Sequence, residues 1–156
     1  DAFATLIHGD YKAMNVFLPS GDVSRDAAML IDFQWVGVGF GMSDVAMHLS
    51  HSVAASALAQ GGERRLVEGY RAALVRRLPE AAAAAYTAEV AWRHYRLGVL
   101  DWARMVFSVF FKDASPQRFA ERADNANVGF VYRDVQASLA FVERVEHFVS
   151  ASEIDF

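Results

Sequence analysis

The stretch LIHGDYKAMNVFL, residues 6–18, sets a His, an Asp, a Lys and an Asn between two apolar runs. A turn between short strands needs only Gly, Asn, Asp or Pro. This connection carries more ionisable chemistry than a turn requires. Asp10 follows Gly9 where the first run ends, and Asn15 opens the second, so the residues between them can bring both side chains to one side. A third apolar run, AMLID at residues 28–32, ends on Asp32. Three oxygen-bearing side chains are therefore expected to converge where strands end. Two carboxylates and an amide carbonyl are hard ligands, suited to Mg2+ rather than Zn2+. Mg2+ keeps water and binds substrate phosphates, and a carboxylate left beside it can serve as base for an attacking hydroxyl.

The rest of the chain divides around that stretch. Short strands are expected near 4–7, 15–18 and 28–32, the last two as a hairpin across the loop PSGDVSRD at 19–26. From residue 43 the pattern turns helical. Ser43 is the expected N-cap, with Asp44 in the first turn of a helix running to the Gly61-Gly62 break. Leu66, Tyr70, Ala73, Leu74 and Leu78 form the apolar stripe of the next helix. Pro79 ends that helix or starts the Ala-rich one after it. Thr87 caps a long helix to about Phe111, with a stripe of Ala91, Leu97, Gly98, Trp102, Met105, Val106, Val109 and Phe110. A short helix, the loop ADNANVG and a last helix at about 131–150 complete the chain. Strands first and helices after define an α+β, mostly α, domain.

Bulk composition narrows the function. With 156 residues, 54% of them hydrophobic and 22% charged, the chain can build one domain with a core. A net charge of −4 argues against nucleic acid as a partner. The absence of Cys removes disulfides and thiolate metal sites and fits a reducing compartment. No apolar run reaches the roughly 18 residues of a membrane span, so a cytoplasmic location without membrane contact is the expectation.

The ordered set His8-Gly9-Asp10, Asn15, Ile31-Asp32-Phe33-Gln34, Gly41 and Asp44 resembles the aminoglycoside phosphotransferase and choline kinase-like superfamily, closest to its ecdysteroid kinase-like branch. The resemblance is strong over residues 5–50. It implies the C-terminal lobe of a protein-kinase-like fold, with a catalytic and Mg-binding segment at 5–45 and a helical body at 43–150. It also implies transfer of the γ-phosphate of ATP to a hydroxyl of a small molecule, with ATP and Mg2+ as cofactors. By that resemblance Asp10 accepts the hydroxyl proton, Asn15 and Asp32 hold Mg2+, His8 braces the loop and Asp44 supports its backbone. Lys12 either reaches the transferred phosphate or is a solvated surface Lys. Eleven residues separate Asp32 from Asp44 and no A-P-E follows, which favours a small alcohol over a peptide acceptor.

Other features have two readings each. Asp44, His48 and His51 fall at i, i+4 and i+7, a spacing open to a metal; otherwise Asp44 supports the loop while the histidines pack or face solvent. Trp92, Tyr95, Trp102, Phe107, Phe110 and Phe111 are core residues or the lining of a substrate pocket. Asp101 pairs with Arg104 or meets the acceptor. Arg64, Arg65, Arg76 and Arg77 are expected on solvated faces. Only seven residues precede His8, so the N-terminal ATP-clamping lobe, with its Gly-rich loop, Lys and Glu, is not among these residues. The expectation is a C-lobe piece that binds Mg·ATP weakly and turns over negligibly alone, completed by the missing lobe of the same polypeptide. The alternative is a non-catalytic, pseudokinase-like helical module that binds a protein partner.

Overall fold

The computed structural model describes residues 2–18 and 28–151. The expected loop at 19–26 lies outside the described residues. Two small antiparallel pairs precede the helices. Strand β1 (Thr5–Ile7) pairs with β4 (Gly37–Gly39), Leu6 opposite Val38. Strand β2 (Val16–Phe17) pairs with β3 (Met29–Leu30), as the expected hairpin. The β4 strand was not anticipated: its Gly-Val-Gly lacks strand propensity, and it forms because β1 offers it a ladder.

The helical body runs from α1 (Gly41–Ser52) through α2 (Ala55–Leu58), α3 (Gly62–Val75), α4 (Glu80–Ala85), α5 (Ala88–Met105), α6 (Pro116–Arg122), α7 (Phe130–Arg133) and α8 (Val135–Ser150). The domain is thus α+β and mostly α, as expected. Helix α1 starts two residues before Ser43, on an extended Phe40, because β4 hands the chain directly into it. It stops at Ser52, not at Gly61, since Val53 and Ala54 are extended. Thr87 caps α5 as expected, its side chain accepting from the Val90 N–H at 3.2 Å. The helix then slips into a π-helical turn over Val106–Phe110. Asp134 splits the last expected helix, capping α8 through the Ala137 N–H.

The core sits between α1 and α5, with α3, α7 and α8 around them. The true stripe of α5 is Ala91, Tyr95 and Val99, four apart and all fully buried, joined by Gly98 and Ala103. Leu97, Met105 and Val109 from the expected stripe are exposed. Gly98 allows the two central helices to touch: a Cβ there would lie 3.0 Å from the Ala46 Cβ and 3.1 Å from the Met42 carbonyl oxygen. In α3 the buried side chain is Val67, with Gly62 buried at the helix start, whereas Leu66 and Tyr70 of the expected stripe are exposed. Inside the body, Glu63 accepts from the Tyr95 hydroxyl and pairs with Arg144 at 3.0 Å, and Arg144 also reaches Ser50 Oγ at 2.8 Å. This polar junction ties α3, α5, α8 and α1 together. Burying these charges is tolerable because each has a partner.

Candidate functional site

The loop from His8 to Asn15 is held from below by one face of α1. Asp44, in the first turn of that helix, accepts from the backbone N–H of His8 at 2.7 Å and of Gly9 at 2.9 Å. One turn on, His48 Nδ1 donates to the Tyr11 carbonyl at 3.2 Å. A further turn on, Ser52 Oγ accepts from the Ala13 N–H at 2.7 Å. Residues i, i+4 and i+8 thus follow the loop backbone step by step. The sequence reading placed Asp44 under the loop but missed Ser52. It set His48 with Asp44 and His51 as an alternative metal set. The three point to different tasks, and among the described residues no cluster of three His, Cys, Asp or Glu side chains has a metal-holding arrangement.

His8 locks the loop to the strand that leads to Asp32. It is buried, its Nε2 donates to the Ile31 carbonyl at 2.9 Å, and its Nδ1 accepts from the Asp10 N–H at 3.3 Å. One tautomer serves both contacts. The Ile31 N–H in turn donates to the Asn15 carbonyl at 3.1 Å. These two bonds bring the residue before Asp32 against both ends of the loop. Asp32 itself takes a left-handed conformation, φ 65° and ψ 58°, and is exposed. Such a backbone is rare for a non-glycine residue and marks sites where geometry is imposed.

Asp10, Lys12 and Asn15 come together. Lys12 Nζ lies 2.5 Å from Asp10 Oδ2. Asn15, buried, donates through Nδ2 to the Asp10 carbonyl oxygen at 2.8 Å and to Asp10 Oδ2 at 3.1 Å. Those donations fix the amide orientation and leave its oxygen as the group available to a hard cation. Of the three oxygen-bearing side chains expected to converge, the structure brings Asp10 and Asn15 into contact, while among the described residues no hydrogen bond joins the Asp32 carboxylate to either of them and the link runs through the Ile31 backbone.

Beside Asp10 and Lys12 opens a cavity of about 340 Å3, walled by Trp102, Phe110 and Tyr132 with His51 and Arg122. Phe110 stacks on Tyr132 with centroids 4.2 Å apart. The aromatic stripe therefore divides: Tyr95 is core, stacked on Trp92, while Trp102 and Phe110 line the cavity. Asp101 pairs with Arg104 at 3.2 Å on an exposed surface. Arg64, Arg65, Arg76 and Arg77 are exposed as expected. A second cavity of about 380 Å3 lies apart from Asp10, around Glu63, Arg144 and Phe141.

The sequence profile of the Ecdysteroid kinase-like family matches residues 1–82, from before β1 into α4. The chain belongs to the ecdysteroid kinase-like family. The family sits within the protein-kinase-like, choline kinase-like superfamily, so at the family level this is a small-molecule kinase-like protein. No curated protein and no solved structure matches the chain. No described helix of this ecdysteroid kinase-like chain is long and apolar enough to cross a membrane.

His51 gives the cavity a pH signature. It is buried, and burial first, then the Lys12 charge, push its imidazole from 6.5 to about 4, against an opposing pull from Asp10. The folded state thus binds its proton less readily than the unfolded state. The contribution is complete above about pH 6.5 and is lost as pH falls towards 4, up to about 3 kcal/mol. Urea midpoints from pH 7.5 to 4 should show a drop in the parent chain that is shallower by about one proton in His51→Gln. Parallel curves for the two would rule the assignment out.

Proposed function

We propose that the chain carries the catalytic segment of an ATP-dependent kinase that moves the γ-phosphate of ATP to a hydroxyl of a small molecule. The observation that carries this reading is the Asp10–Lys12 pair lining the 340 Å3 cavity, with Asp10 held from behind by buried Asn15. Asp10 takes the proton of the acceptor hydroxyl as its oxygen forms a bond to the γ-phosphorus. The bond between that phosphorus and the bridging oxygen breaks, and ADP leaves with the electron pair. Lys12, beside Asp10, meets charge on the phosphoryl group in flight. Asn15 and Asp32 would hold Mg2+, which when bound neutralises phosphate charge and aligns the chain of phosphates. His8 and Asp44 keep the loop in place for this, because positioning is most of what phosphoryl transfer asks of a protein.

The apolar face above the site supports the same reading. Leu6, Val38 and Trp35 are 73%, 81% and 67% exposed, and Phe17, Met29 and Phe33 are exposed nearby. Such a face fits contact with a nucleotide base and with an ATP-clamping β lobe of the same polypeptide. A cytosolic setting, where ATP and Mg2+ are plentiful, belongs to the proposal. The rival reading, a non-catalytic module that binds a protein partner, draws on that same exposed face.

The test is calorimetric. In the complete polypeptide, Mg2+ should tighten ATP binding, and Asp32→Asn should weaken Mg·ATP at least about tenfold, the loss of one charged ligand. ATP affinity indifferent to both Mg2+ and Asp32→Asn would favour the non-catalytic module.

A further inference from the structure

The charge in the cavity beside Asp10 leans one way. Asp10 is the single carboxylate among its lining residues, and Lys12 pairs with it at 2.5 Å. Burial keeps His51 uncharged at neutral pH. Arg122, in the last turn of α6, remains. Its neighbours are engaged: Arg118 pairs with Glu121 at 3.5 Å, and Arg133 reaches the Ala123 carbonyl and lies over Phe130. Arg122 has no ion pair among the described residues and is only partly buried. One positive charge on the wall is therefore uncompensated, on a guanidinium whose planar fork matches a carboxylate.

The remaining walls select shape and oxygen content. Phe110 stacks directly on Tyr132, and Trp102 adjoins Phe110 at 6.4 Å, so the three rings form one continuous aromatic wall against which a flat body can lie. Trp102 Nε1 and Tyr132 Oη are buried without a hydrogen-bond partner, as is His51 Nδ1. A buried polar atom without a partner is destabilising. All three residues line this one cavity.

We propose that the acceptor is a flat, mainly apolar alcohol that also bears a carboxylate, gripped by Arg122, with its body against the aromatic wall of Trp102, Phe110 and Tyr132 and its hydroxyl at Asp10. The role of the hydroxyl rests on the phosphotransfer reading; recognition of the carboxylate does not. A cationic amino alcohol meets Arg122 and Lys12 on the same walls and is rejected.

Three matched probes test this by isothermal titration on the complete polypeptide, without nucleotide or Mg2+: 6-(hydroxymethyl)-2-naphthoate, its neutral carboxamide, and 6-(aminomethyl)-2-naphthalenemethanol. The carboxylate should bind at least tenfold tighter than the amide, and the amine weakest. Arg122→Gln should bring the carboxylate to the level of the amide and leave the amide unchanged. Trp102→Leu should weaken both together. Equal affinity for the three probes, no binding of the carboxylate, or full carboxylate affinity in Arg122→Gln overturns the proposal. Mg·ATP affinity measured on the same preparation separates the two ideas. Its loss with the probe order intact removes phosphotransfer and leaves carboxylate recognition, and the converse result removes only the latter.

Discussion

Asp10→Asn should lower ATP-dependent phosphorylation of alcohols by about 100- to 10,000-fold in the complete polypeptide, the usual worth of a positioned general base. The substitution is nearly isosteric. Its amide oxygen can still accept from Asn15 Nδ2, which now donates to Asp10 Oδ2 at 3.1 Å, so the loop keeps its shape. What disappears is the basic site for the hydroxyl proton and the anionic partner of Lys12. Mg·ATP affinity should change little, because Asn15 and Asp32, not Asp10, are assigned to the metal. The measurement is mass-spectrometric detection of phosphoryl gain across a panel of alcohols, with nucleotide affinity alongside. Turnover within tenfold of the parent would remove Asp10 from the chemistry, and the phosphotransfer reading with it.

Gly9→Ala should be the most damaging small substitution in the loop. Gly9 has φ +81°, a conformation that costs an L residue roughly 1–2 kcal/mol. A Cβ there would also lie 2.3 Å from the Trp35 carbonyl oxygen and 2.9 Å from the Trp35 Cβ. The obstacle is largely backbone, in the turn that follows Asp32, so it cannot swing aside. Relief requires moving either the loop or that turn. Moving the loop strains the N–H bonds from His8 and Gly9 to Asp44. A loss of about 3 kcal/mol is expected from strain and overpacking together, read as a shift of the urea midpoint with unchanged slope. A shift under about 0.5 kcal/mol, the scatter of neutral surface changes, would mean that this turn is not packed against Gly9.

The pairing of β2 with β3 and the cap at Thr87 were legible because they are short-range along the chain: neighbouring apolar runs that pair, and a side chain reaching three residues ahead. Asp10, Asn15 and Asp32 could be picked out as candidates because each stands near a strand end, and His8 and Asp44 through the family resemblance of the ordered motif; the structure brings Asp10 and Asn15 into contact but, among the described residues, no hydrogen bond joins the Asp32 side chain to them. The misreadings share a cause too. Leu66 and Tyr70 look as apolar as Val67, and only the position of α5 decides which of them is covered. Strand β4 has no propensity of its own and exists through its partner β1, which lies far back in the chain.

By itself, then, the sequence determined the mostly helical α+β class, the family, and which side chains bear oxygen at strand ends, since these depend on short-range order and residue chemistry. Tertiary structure decided the ladder of Asp44, His48 and Ser52 beneath the loop and the meeting of Trp102, Arg122 and Tyr132 around Asp10. Those contacts join segments distant along the chain. Which segments meet is settled by how helices pack around a shared core, and no periodicity within one segment records it.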